Sequence, residues 1–325
     1  MGRPGSRPIL VSVAASEHMT GSPIRDRSRR GGSGARSVMP FLLATLVALL
    51  LASQPVLAGA RRVMSLDYCA DQYVLALADR DQILALSKDA ESERSYYAAA
   101  ARGLPRNSGE AEEIVMARPD LVIRFWGGGY GSEAMIRRFA IPTLTLPFGE
   151  SLSEMSGSLR KVAQALGQEA RAEALIANME RRLATVRDRW RDLPQASRPL
   201  AFYVTSGGTT TGQGTLVHEM MLAAGLRNAG AERGQAGWRN ADLERLILDP
   251  PEAMILGFHD LSLNLSDHWR LGRHRSLRAL LAARPTVYLD SRILACPTPA
   301  FVEGVEQLHA QLVAPRLAYI EGLAP

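Results

Sequence analysis

Residues 111–127, AEEIVMARPDLVIRFWG, return without gaps at 243–259 as LERLILDPPEAMILGFH, an offset of 132. Glu112 then matches Glu244, Ile114 matches Leu246, Pro119 matches Pro251 and Ile123 matches Ile255. A second echo follows in the same order, IPTLTLP at 141–147 and RPTVYLD at 284–290. Any two helix–proline–strand units look somewhat alike, but two echoes in one order favour a duplicated lobe. Within each unit a helical run stops at proline and an apolar strand follows.

The surrounding segments keep the alternation. RRVMSL (61–66), QILALS (82–87), DLVIRF (120–125), PTLTL (142–146) and LAFYVTS (200–206) read as strands. Residues 67–79, 109–118 and 132–140 read as helices, with Asp67 and Ser108 as N-caps of the first two. Strands alternating with helices predict an α/β fold with mainly parallel sheets, helices covering both sheet faces. Between the two units the strands stop, and about forty residues of helical periodicity follow Ser151, broken at Gly167. The second of these helices would be about 35–40 Å long at 1.5 Å per residue. The layout is a leader (1–58), an N-terminal lobe (59–166), a bridging helix (167–196) and a C-terminal lobe (197–325).

Charge separates the leader from the body. The chain has 38 basic and 33 acidic residues, a net +5. Residues 1–58 hold seven of the arginines against Glu17 and Asp26, which leaves 31 of each sign in 59–325. A neutral body gives no electrostatic footprint for nucleic acid. The apolar run Val38 to Leu51 is short for a membrane span of about 20 residues. Arginines precede it and small residues at Val56 and Ala58, or Ala60, follow, as in a cleaved secretory signal. A retained N-terminal anchor is the rival reading. No cysteine stands near the cleavage point, so the expectation is a periplasmic protein that is not a lipoprotein. The two cysteines, Cys69 and Cys296, both follow predicted strands; they either pair in an oxidising compartment or stay as separate buried thiols.

Catalytic templates fail. The run GGGYG (127–131) is neither G-x-x-x-x-G-K-[ST] nor G-x-G-x-x-G. Ser206, in VTSGGTTTGQG, lacks the G-x-S-x-G context, and its surroundings read as a flexible loop. The histidines show no metal-ligand spacing, so no metal site and no cofactor are expected. An exported nucleotide- or cofactor-using α/β enzyme is kept as the alternative. At the C-terminal ends of strands, where open α/β sheets hold ligands, stand Asp67, Tyr68, Phe125, Trp126, Gly127, Gly128 and Tyr130. The second unit offers Ser206, Gly207, Phe258, His259 and Arg292, and Trp238 lies in an irregular segment before its helix. Each aromatic either fills a core or offers a stacking face to a large, rigid, amphipathic ligand.

These segments resemble the class III substrate-binding proteins of ABC importers for cobalamin, iron–siderophore and haem complexes. RRVMSLDYCADQYVLALAD is similar to the family's opening strand and helix, GEAEEIVMARPDLVIRFWGG to its helix–"KPDLVI"–strand segment, and GQGTLVHEMMLAAGLRN to a helix of its second lobe. The resemblance covers residues 61–320 and implies two Rossmann-like lobes, a single long bridging helix and a ligand cleft between the lobes. It also implies that Glu112 and Glu244 form salt bridges with arginines of a permease dimer, which works with ATPase subunits. Without the resemblance the two read as first-turn carboxylates favoured by the helix dipole. Trp238 precedes Glu244 by six residues, as a cleft tryptophan does in cobalamin-binding members, whereas the matching position before Glu112 is Arg106. An arginine there would suit a carboxylate- or catecholate-bearing iron chelate. The implied protein is a monomer that captures a cobalt or iron chelate, a corrinoid first, with ferric siderophore or haem close behind.

Overall fold

The computed structural model describes residues 59–125, 127–258 and 275–320. The leader, Trp126 and His259 therefore lie outside the described residues. Five parallel strands, β1 (Val63–Ser65), β2 (Ile83–Ser87), β3 (Arg106–Asn107), β4 (Leu121–Phe125) and β5 (Thr143–Leu146), form a first sheet in the order β3-β2-β1-β4-β5. A second sheet, again parallel, has the order β11-β10-β6-β8. Its strands are β6 (Leu200–Thr205), β8 (Arg227–Asn228), β10 (Ala253–Gly257) and β11 (Thr286–Leu289).

The sequence repeat is a structural repeat. Strands β4 and β10 begin and end at positions 132 apart, and β5 and β11 at positions 143 apart. Their pairing carries over as well: Val122 faces Thr143 and Ile123 faces Leu144, just as Met254 faces Thr286 and Ile255 faces Val287. The physical reason lies in burial. Successive strand side chains point to opposite faces. Val63 and Ile123 enter one cluster while Met64 and Val122 enter another across the sheet. Tyr203 and Ile255 likewise oppose Phe202, Met254 and Leu256. A one-residue slip would exchange the two faces of a strand, so each sheet's register is firmly set.

Helices cover these faces. In the first lobe they are α1 (Tyr68–Leu77), α2 (Ala111–Ala117) and α3 (Glu133–Arg138), followed by α4 (Leu152–Leu166) and α5 (Glu169–Trp190). Helix α4 ends at Gly167, whose φ of 70° suits a residue without a Cβ. The 22 residues of α5 make about 33 Å of helix. Its Ala172 and Ile176 pack into the first lobe's core, and its Met179 and Val186 into the second's. Helix α4 also touches both, through Met155 in the second core and Leu159, Val162 and Leu166 in the first. The second lobe adds α6 (Leu216–Ala223), α7 (Leu243–Leu248), α8 (Arg275–Ala283) and α9 (Phe301–Leu308).

Two local expectations are corrected. Ser108 does not sit at the N-cap of α2, which is Glu110; its amide instead donates to Glu113 Oε2 at 2.8 Å. The segment read as a flexible loop after β6 is a strand, β7 (Thr209–Thr211), paired antiparallel with β9 (Trp238–Asn240). Thr210 and Thr211 are fully buried there, and Thr210 Oγ1 donates to Tyr203 O at 2.7 Å. Three β-branched residues outweigh the glycines around them.

Candidate functional site

Besides the helices that touch both cores, a disulfide fastens the two lobes. Cys69, in the first turn of α1, is disulfide-bonded to Cys296, with Cα atoms 5.4 Å apart. The alternative of two separate thiols is thereby excluded. Beside the bond, the Tyr73 hydroxyl donates to Pro297 O and the Tyr96 hydroxyl to Glu303 Oε1. Each of these contacts joins the first sheet's side of the molecule to residues that follow β11.

Next to this joint is a crevice of about 40 Å³ lined by Phe148, Gly149 and Glu150, by Met220 and Trp238, and by the 293–297 segment. Trp238 is 38 % exposed and stands edge-on to Tyr203, ring centres 6.0 Å apart. Phe148 is 57 % exposed and was missed in the sequence. Its signal was present, since it stands two residues past the end of β5, close to where Trp126 stands after β4.

The remaining candidates fall into separate groups. Asp67 is the N-cap expected: Oδ1 accepts from the amides of Cys69 (3.1 Å) and Ala70 (2.8 Å), and Oδ2 from Phe125 N (2.7 Å). Burial pushes its carboxyl up, and these amides together with the Arg124 charge pull it back down. Its oxygens are committed to tying the β4 end to α1. Gly128 closes on this clamp, for a Cβ there would stand 2.1 Å from Asp67 Oδ2. Phe125, expected at the strand-end lip, is a core residue, packed against Tyr73 with ring centres 5.4 Å apart. Strand alternation turns it inward.

Tyr68 is half-buried under the Arg94 guanidinium, 4.8 Å from its ring centre, and burial raises its phenol. Arg106 pairs with Glu91 at 3.2 Å. Arg292 pairs with Asp290, its Nε 2.9 Å from Oδ2, and holds that carboxyl below the usual range. In the first lobe a hollow of about 560 Å³ brings Tyr130, Gly129 and Lys88 together with Glu112; Gly127 precedes it in the same turn with φ 90°. The second lobe has a matching hollow of about 480 Å³ lined by Gly207, Gly208 and Glu244. Ser206 Oγ is occupied by Phe258 O at 2.8 Å, and Phe258 itself adopts a left-handed φ of 58°.

Two parallel-sheet lobes, helices that touch both cores and a crevice at the joint define a two-lobed binding protein. The chain belongs to the periplasmic binding protein family, whose sequence profile matches residues 63–268. It is 25 % identical over 206 residues to the uncharacterized ABC transporter substrate-binding lipoprotein YvrC of Bacillus subtilis, covering 61 % of this chain and 63 % of that protein. It is 24 % identical over 220 residues to a cobalamin-binding protein of Halobacterium salinarum, covering 66 % of this chain and 57 % of the other. The chain thus spans less than two thirds of the length of these curated relatives. Among solved structures, the periplasmic heme-binding protein RhuT of Roseiflexus sp. RS-1 shares the fold with a TM-score of 0.62 at 24 % identity, over 79 % of this chain and all of that one. These relatives are binding proteins by name, not enzymes.

One expectation is overturned by these comparisons. A periplasmic protein that is not a lipoprotein was inferred from a missing cysteine beside the presumed cleavage point. The Bacillus subtilis relative is named as a lipoprotein, so that inference does not stand.

Proposed function

We propose that this chain is the substrate-binding component of an ABC importer, capturing a flat metal–organic chelate between its lobes and handing it to the permease. A corrinoid is the first choice, ahead of haem and a ferric siderophore. The observation that carries the reading is the crevice in which Phe148 from one lobe and Trp238 from the other are both partly exposed beside the lobe joint. The crevice itself, about 40 Å³, is too small for a macrocycle, but the exposed parts of the two rings offer stacking faces to one at its mouth. Among the described residues no group of three or more His, Cys, Asp or Glu could hold a metal ion. On this reading the metal is cargo that arrives inside its own organic ligand. Tyr68, with Arg94 over its ring, supplies polar groups for the periphery of such a ligand.

Glu112 and Glu244 are the proposed contacts with the permease dimer. Both are exposed in the first turn of equivalent helices, α2 and α7. Titration of the purified protein with cyanocobalamin, haemin and ferric siderophores, followed by tryptophan fluorescence, tests the ligand class. One chelate is expected to bind, and Trp238→Ala with Phe148→Ala to weaken it at least about tenfold. Failure of every chelate, with a thermal shift produced by a nucleotide instead, would refute the reading.

A further inference from the structure

We propose that each lobe carries the same docking footprint, an exposed glutamate with an exposed apolar side chain one helical turn beyond it. The pairs are Glu112 with Met116 and Glu244 with Leu248, and the footprint fits a two-fold symmetric permease. This rests on the importer reading above and adds to it a contact that charge alone does not supply.

Helix α2 reads AEEIVMA and helix α7 reads LERLIL, which begin 132 residues apart and share only the glutamate at their second position. Four positions on from that glutamate, Met116 is 80 % and Leu248 is 85 % exposed. Residues four apart lie on one face of a helix, so acid and apolar tip stand together. Ile114 and Leu246, two positions after each glutamate, are fully buried and anchor the other face. A single exposed leucine or methionine is ordinary on a protein surface. What is not ordinary is exposure of this degree at the same repeat position in both lobes, on helices whose other residues have diverged. With Tyr130, these two are the most exposed large apolar side chains among the described residues. Tyr130 itself lines the hollow beside Glu112.

The glutamates are also available. Among the described residues neither is engaged in an ion pair, whereas Glu113 is taken up by Ser108 and the neighbouring Asp242 by the Arg245 amide. A partner that meets both footprints with one chemistry must present that chemistry twice, as a dimer of identical permease subunits does. On each subunit the matching surface would be a cation set beside an apolar recess. The ionic half steers and orients the encounter, and the apolar half lengthens the complex's lifetime.

The test measures binding of the chelate-free protein to its cognate permease–ATPase complex in lipid nanodiscs, at low and high salt. Met116→Ser with Leu248→Ser is expected to weaken binding at least about tenfold. That loss should persist at high salt, whereas the loss caused by Glu112→Ala with Glu244→Ala should shrink as salt screens the ion pairs. Both double variants keep the unmodified melting temperature and chelate affinity, since all four side chains are exposed. If the serine variant binds like the unmodified protein while the alanine variant does not, the footprint inference fails and the importer reading survives. If the unmodified protein itself does not bind the complex, both fail.

Discussion

Replacing Cys69 and Cys296 together by alanine should destabilise the protein through its unfolded state more than its folded one. The bond closes a loop of 227 residues. In the chain-entropy description, opening a loop of that length gives the unfolded chain about 18 cal/mol/K, or about 5 kcal/mol at 25 °C, as an upper figure. The folded joint survives the substitution, because the Tyr73 and Tyr96 hydroxyls still reach across to Pro297 and Glu303. Urea denaturation under non-reducing conditions measures the difference. The midpoint should fall, and the slope with urea should rise, since an uncrosslinked chain exposes more surface when it unfolds. Chelate affinity should change little. An unchanged midpoint and slope would refute the entropic argument. A large loss of chelate affinity without loss of stability would show that the bond acts by shaping the crevice.

Two further outcomes test the interior of the first lobe. Burial raises the Asp71 carboxyl to about 6 from its ordinary 3.8, against the pull of hydrogen bonds from Ser65 and Ser87. The folded chain then holds a proton that the unfolded one releases, so this site's contribution is present below about pH 4 and lost as pH rises through about 6. Asp71→Asn should remove up to about 3 kcal/mol of that decline, leaving a smaller slope from Asp67, which burial also raises; parallel stability profiles for the two proteins from pH 4 to 8 would contradict this. Gly128→Ala should lower stability by about 2 kcal/mol, because its new methyl group displaces the Asp67 cap. Gly131→Ala, with nothing within 4 Å, should melt like the unmodified protein.

The doubled lobe was legible because parallel strands buried on both faces leave continuous apolar runs, and Pro119 and Pro251 end the preceding helices at matching places. Asp67 was legible as a cap from its place before a helical run. What could not be read was whatever depends on contacts between distant segments. Period-2 alternation turns Phe125 inward once the strand boundary is known, yet the sequence leaves that boundary open by a residue or two. Arg106 and Arg292 looked like ligand anchors; Glu91 reaches Arg106 from a segment whose course only the fold determines, whereas Asp290 stands two residues before Arg292 and was a partner the sequence already offered. The β7–β9 ribbon joins strands 27 residues apart, too far for hairpin signals to reveal. Phe148 escaped notice because its repeat partner, 143 residues on, is Ser291, not an aromatic that would have drawn the comparison.

The Cys69–Cys296 bond also turns most of the described chain into a covalent ring. A protease that cuts once anywhere between those residues cannot release either piece. The two halves stay at a mutual concentration on the order of millimolar, high enough to keep their shared contacts closed. A two-lobed binding protein closed in this way thus tolerates a nick in a surface loop of the ring while keeping both lobes together. The cut would show only on a reducing gel.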